Sequence, residues 1–109
     1  MESSLEKKQR VNLLMDCYED LLTNKQREYL SYYYDEDLSL SEIAEELDVS
    51  RNAVYDNLKR AVNALEDYEK KLHLLQKHIQ RMDLIDRIEN MQNDTNESLN
   101  DYLEMLRNI

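Results

Sequence analysis

Leu38 to Leu65, LSLSEIAEELDVSRNAVYDNLKRAVNAL, is the stretch whose reading decides the fold. Ser39 and Glu42 have the spacing of a capping box. The serine oxygen can accept from the backbone N–H three residues on while the glutamate reaches back to the serine N–H, with Leu38 and Ile43 at the flanking staple positions. The pattern restarts at Ser50, a second N-cap, so the first helix must end near Leu47 and only Asp48 and Val49 remain for the turn. The first helix turns Ile43, Ala44 and Leu47 inward. The second turns in Val54, Leu58, Ala61 and Leu65, spaced by four, three and four. Two short helices joined by so tight a turn make a helix-turn-helix, and Ala44 is the small residue expected where they cross closely.

The outward face of the second helix carries Ser50, Arg51, Asn52, Tyr55, Asp56 and Lys59, with Arg60 at its edge. Such a mixture can hydrogen-bond base edges or phosphates, which makes this helix the candidate reader of nucleic acid. It is also what any solvated helix face carries.

Working outward, residues Leu5 to Leu22 place Leu5, Val11, Leu14, Met15, Tyr18, Leu21 and Leu22 on one stripe, predicting an amphipathic first helix. Cys17 adjoins that stripe and reads as a packing residue. Thr23 and Gln26 form another capping box, opening a helix through Tyr29, Leu30 and Tyr33 that stops in the acidic loop Asp35 to Asp37. Tyr32, Tyr33 and Tyr34 are consecutive and cannot all face one core. At least one ring is expected over a neighbouring element or exposed at an interface.

Beyond the reader helix no break is legible from Arg60 to Asn90. Leu65, Tyr68, Leu72, Leu75, Ile79 and Met82 follow steps of three and four, the spacing of a coiled-coil seam, and are the candidate homodimer interface. Asp86 interrupts the repeat, and Ile85, Ile88 and Met91 begin a shifted stripe. A break is expected at Asn93 to Asn96, then a last amphipathic helix with Leu99, Tyr102, Leu103 and Leu106 inward. The expected organisation is all-α: residues 1–65 forming the N-terminal helices and helix-turn-helix, residues 66–109 a helical dimerisation extension, and the two packed as one compact unit.

Composition narrows the function. Glycine and proline are both absent, which removes phosphate-cradling loops, the nucleophile elbow and the dinucleotide fingerprint. Turns must use Asp, Asn or Ser instead, and Asp48, Asp35 to Asp37 and Asn93 to Asp94 are placed for it. Lys and Arg number 14 against 24 Asp and Glu, a formal net charge of −10 that argues against loose, charge-driven binding to nucleic acid or membrane. The reader helix nonetheless has Arg51, Lys59 and Arg60 against Asp56. His73 and His78 lie on different helix faces with no cysteine nearby, and the clustered Glu42, Glu45 and Glu46 have no nucleophile beside them. No cofactor, metal or enzymatic activity is expected. A single cysteine excludes an internal disulfide, and no apolar run follows MESSLEKKQR, so a cytoplasmic protein without direct membrane insertion is expected.

The stretch LTNKQREYLSYYYDEDLSLSEIAEELDVSRNAVYDNLKRA resembles region 4 of bacterial sigma factors, which recognises the upstream promoter element. The resemblance spans Leu22 to about Leu65 and rests on Leu22 and Thr23, Glu42 to Ala44, and Ser50 and Arg51. It implies that Ser50, Arg51, Asn52, Tyr55, Asp56 and Lys59 are the contacting set. The whole chain is also similar to the YlxM family of small helix-turn-helix proteins from Gram-positive bacteria, through LTNKQREY, NAVYDNLKRA and the long helical tail. That family's genes lie beside those of the signal recognition particle GTPase and its receptor. The implied function is DNA-binding regulation in or on that pathway, with DNA or RNA and a particle component as partners. The alternative is a non-enzymatic accessory factor of protein targeting that uses the helix-turn-helix as a docking scaffold.

Overall fold

A computed structural model describes residues 4–91 and 96–109. It is all-α, with no strand among the described residues. The helices are α1 (Ser4–Tyr18), α2 (Asn24–Leu30), α3 (Leu40–Leu47), α4 (Arg51–Leu72), α5 (Leu74–Glu89) and α6 (Asn96–Arg107). A 3-10 turn, Glu19–Leu21, follows α1, and a π turn, Ser31–Asp35, continues α2. The chain divides into two compact units, Met1–Leu72 and His73–Ile109.

In the first unit α4 is the central element, with α1, α2 and α3 packed against it. Its stripe of Val54, Leu58, Ala61 and Leu65 is buried, as the spacing predicts, and meets Val11, Leu14, Met15 and Tyr18 of α1, Tyr29 and Leu30 of α2, and Ile43 of α3 in one core. Leu14, Leu30 and Leu65 are fully enclosed, and each such side chain contributes about 2 kcal/mol of transfer free energy. Leu5 and Leu21, expected on the core stripe of α1, are exposed instead. Leu21 lies in the 3-10 turn, whose tighter winding carries it off the stripe.

The start signals are as the sequence indicates. Thr23 accepts from the Gln26 N–H at 3.1 Å while Gln26 Oε1 accepts from the Thr23 N–H at 3.0 Å. Ser39 and Glu42 make the same reciprocal pair at 3.1 and 3.0 Å. Helix α3 ends at Asp48, whose φ of 54° and ψ of 49° are left-handed. The Val49 N–H donates to the Ala44 carbonyl and the Asp48 N–H to that of Glu45, the two bonds of a Schellman stop. Asp37 is the other aspartate at positive φ, 57°. Both stand where a chain without glycine must put a short polar residue. Ala44 is half-buried, so Ile43 supplies the sealed contact of α3.

One expectation is overturned at His73. The run from Arg60 to Asn90 is broken there, at φ 57° and ψ 28°, between α4 and α5. Histidine is among the residues enriched at left-handed positions, and a single such residue ends a helix without any glycine or proline to announce it. The expected continuous seam is therefore cut between Leu72 and Leu75. Its first part has another role: Leu65 is fully buried in the first unit's core, and the Tyr68 ring stacks on Tyr18 at 5.9 Å while its hydroxyl donates to the Leu21 carbonyl at 3.2 Å. Steps of three and four serve packing against α1 as well as they serve a coiled coil.

Glu69, in the same turns of α4, accepts a 2.6 Å hydrogen bond from the buried Tyr18 hydroxyl. Arg10 and Glu66 pair at 2.8 Å on the outside of the same α1–α4 packing.

In the second unit α6 packs on α5. Leu75 and Leu84 are buried, and Leu99, Tyr102, Leu103 and Leu106 are half-buried along α6. Ile79 and Met82 remain exposed on α5. The turn expected at Asn93 and Asp94 lies outside the described residues, and Asn96 opens α6. No helix among the described residues is long and apolar enough to cross a membrane.

Candidate nucleic-acid interface

The helix-turn-helix delivers the first turns of α4 to the surface. Ser50 caps the helix by accepting from the Ala53 N–H at 3.0 Å, which fixes where α4 begins and hence which side chains point away from the core. With Val54, Leu58 and Ala61 buried, Arg51, Asn52, Tyr55, Asp56, Lys59 and Arg60 are residues of these turns that stay outside the core. With Ser50, all of them are exposed, Tyr55 by 54%. Asn57, between them, is part-buried and donates to the Ala53 carbonyl at 2.8 Å within its own helix.

The charges on this face are uncommitted. Within the first unit Lys8 pairs with Asp37 and Arg10 with Glu66, both at 2.8 Å, and Lys71 with Asp67 at 3.0 Å. Arg51, Lys59 and Arg60 make no ion pair among the described residues. Three unpaired cations against Asp56 give a locally positive surface on a chain of net charge −10. The neighbouring face is of opposite character: burial pushes the Tyr32 phenol up from its ordinary value, and Glu46, Glu28 and Glu36 add to it.

Beside the reader face lies a groove of about 420 Å³. Lys7 and Lys8 come from α1, Tyr33 and Tyr34 from the π turn, Leu40 from the start of α3, and Tyr55, Leu58, Lys59, Val62 and Asn63 from α4. Tyr33 and Tyr34 meet edge to face at 4.9 Å between centroids, and the Lys8 ammonium sits 5.8 Å from the Tyr33 centroid. The wide winding of the π turn, in which the Glu36 N–H donates to the Ser31 carbonyl five residues back, carries the consecutive tyrosines round to this side. Lys7, Lys8, Tyr34 and Asn63 were not among the residues singled out from the sequence as a binding set. The tyrosine run was the one signal pointing here.

Among the described residues no three His, Cys, Asp or Glu side chains are grouped so as to hold a metal ion. Cys17 is half-buried, and burial, then the charges of Glu69 and Asp16, push its thiol above the ordinary value, which suppresses the thiolate.

Comparison with known proteins places the chain. The family described as "Putative helix-turn-helix protein, YlxM / p13 like" matches residues 5–105. The chain belongs to that family. Among its YlxM / p13-like relatives, a UPF0122 protein of Listeria innocua is 51% identical over 107 residues, covering 95% of this chain and 97% of the relative. One of Listeria monocytogenes serotype 4b is 50% identical over 107 residues, with the same coverage. One of Bacillus cereus is 49% identical over 108 residues, covering 96% of this chain and 98% of its own. The match takes in both compact units, so the second unit is as much part of the family as the helix-turn-helix.

Proposed function

We propose that this protein is a non-enzymatic, nucleic-acid-binding regulator that lays the first turns of α4 against DNA. The observation that carries the reading is the set Arg51, Lys59 and Arg60, exposed and without ion pairs among the described residues, beside Asn52 and Tyr55 on a helix whose start is fixed by the Ser50 cap. Unpaired cations lose no existing partner when they take up phosphate, and an amide and a phenol supply the directional contacts that a charge alone cannot. The working form in this proposal is a homodimer through the second unit. Exposed Ile79 and Met82, one turn apart on α5, support it, whereas Leu65 and Tyr68 belong to the first unit's own packing. The resemblance to the YlxM family extends the proposal to regulation in or on the signal recognition particle pathway.

The decisive test is anisotropy titration of labelled duplex DNA with the full chain. Two or three phosphate contacts per protomer give a log affinity that falls against log salt with a slope of about 4 to 5 for a dimer. Reversing Arg51 and Lys59 to Glu should abolish binding while circular dichroism stays unchanged. Failure of the unaltered protein to bind at about 50 mM salt, where screening is weak, refutes the reading. A second reading, the helix-turn-helix as a docking scaffold for the protein-targeting machinery, is favoured by the net charge of −10. Retention of a targeting-pathway protein by the doubly reversed variant would tell against the reader face as that docking surface.

A further inference from the structure

The groove beside the reader helix brings aromatic, apolar and cationic side chains together. Its lining combines the apolar Leu40, Leu58 and Val62 with three phenol rings, Tyr33, Tyr34 and Tyr55. Lys7, Lys8 and Lys59 complete the charged part of the lining. The Lys8 charge is matched by Asp37, and the hydrogen bond between them raises the lysine pKa and holds the aspartate below its usual range. Lys7 and Lys59 make no ion pair among the described residues, so the groove's lining is net positive as well as aromatic. Asn63 adds an amide, donor and acceptor together.

An anionic group attached to a flat aromatic body matches that set. Aromatic faces in a positively charged groove are how proteins hold single-stranded nucleic acid, one base per ring, because every base has a face to stack. A base inside a duplex cannot enter such a site, since both its faces are covered by neighbours in the stack. The volume, about 420 Å³, is that of a small-ligand site rather than of an extended macromolecular cleft. Two residues decide between a nucleotide and any other anionic aromatic group. Tyr55 and Lys59 line the groove and also belong to the exposed face of α4, so groove and reader face are one continuous surface.

We propose that this groove holds one unpaired nucleotide of a nucleic-acid strand, its base against Tyr33, Tyr34 and Tyr55, its phosphate between Lys7 and Lys59, and its neighbouring phosphates along the reader face of α4. The proposal rests on the reading of α4 as a nucleic-acid-contacting face and adds that the target has an unpaired or extruded base where it meets the π turn. Lys7 and Tyr33 lie off the reader face, which separates the two ideas experimentally.

The test uses the full chain, a fluorescein-labelled oligothymidylate of roughly twelve nucleotides and a blunt mixed-sequence duplex of the same length, at about 50 mM salt. Lys7→Glu and Tyr33→Leu, the second keeping apolar bulk while removing the ring, should each weaken binding of the single strand about tenfold and leave duplex binding within about twofold. Quenching of the intrinsic tyrosine fluorescence by the strand should be lost in Tyr33→Leu. Circular dichroism checks that both variants keep the helical signal, and Lys7→Glu alters only an exposed side chain. Strand affinity unchanged in Lys7→Glu overturns the proposal, as does binding of the duplex alone, and in both cases the reader face stands. Strand binding lost in Lys7→Glu but unaffected by Arg51→Glu and Arg60→Glu would keep the groove and remove the reader face. Binding of neither probe removes both.

Discussion

Tyr18→Phe is the sharpest probe of how the first unit is held together. The ring is fully buried and stacked on Tyr68 at 5.9 Å, and phenylalanine preserves both features. What it removes is the hydroxyl that donates to Glu69 Oε1 at 2.6 Å, across 51 residues of sequence. Glu69 is 9% exposed, so water cannot readily replace that donor. A hydrogen bond to a charged acceptor contributes about 1.5 to 3 kcal/mol. With a urea slope of about 1.5 kcal/mol per molar, the unfolding midpoint should fall by about 1 to 2 M. Combining Tyr18→Phe with Glu69→Leu should cost less than the sum of the two single changes, because the double variant buries no carboxylate. A Tyr18→Phe midpoint within about 0.2 M of the unaltered protein, or strict additivity in the cycle, would refute this account.

Three further outcomes follow from the same geometry. Cys17, its thiol pushed up first by burial and then by Glu69 and Asp16, should react with a disulfide reagent at neutral pH more slowly than free glutathione; reaction at an equal rate would contradict its placement. The Lys8–Asp37 pair should make stability weakly pH-dependent at both extremes. A depressed Asp37 contributes above the unfolded carboxylate value and loses its contribution as pH falls through the folded one, while a raised Lys8 contributes below the ordinary lysine value and loses it as pH rises through the folded one. Asp37→Asn should remove that acid-range loss, read from thermal melts across pH, and identical profiles would show the pair to be idle. Asp48→Gly, at a left-handed stop where a Cβ is a penalty, should stabilise by about 0.5 to 1 kcal/mol, and a lower melting temperature would be the contrary result.

The parts of this fold that were legible in the sequence are those set by neighbours along the chain. Thr23 with Gln26 and Ser39 with Glu42 declare helix starts because both partners of each bond lie within one turn, and Val54, Leu58, Ala61 and Leu65 declare a buried face because periodicity survives any tertiary arrangement. What covers a face is not local. Leu65 and Tyr68 satisfy the spacing of a dimer seam, yet α1 arrives to cover them, and nothing near residue 65 encodes that arrival. The stop at His73 was hidden for a different reason, since one backbone residue in a left-handed well needs no special side chain. Of the candidate interface, the reader residues follow from the Ser50 cap by counting. The groove does not, because Lys7, Tyr33, Tyr55 and Asn63 meet only once α1, the π turn and α4 have packed.

The Tyr18–Glu69 bond also imposes an order in time on the chain as it is synthesised. The signals for α2 and α3 are complete within a turn or two of their own residues, and α3 finds its partner on α4 just beyond the Asp48 stop. Helix α1, which precedes these, is fastened by Glu66 and Glu69, 56 and 51 residues later. Until that length has left the ribosome, Val11, Leu14 and Tyr18 lack the full α4 surface they close upon, so of the first unit's helices α1 waits the longest for its partner. An N-terminal apolar stripe held waiting through most of translation is the moment at which this protein is most open to capture by a chaperone. Substitutions in the final turns of α4 should accordingly reduce the yield of folded chain more than their effect on the finished molecule's stability would indicate.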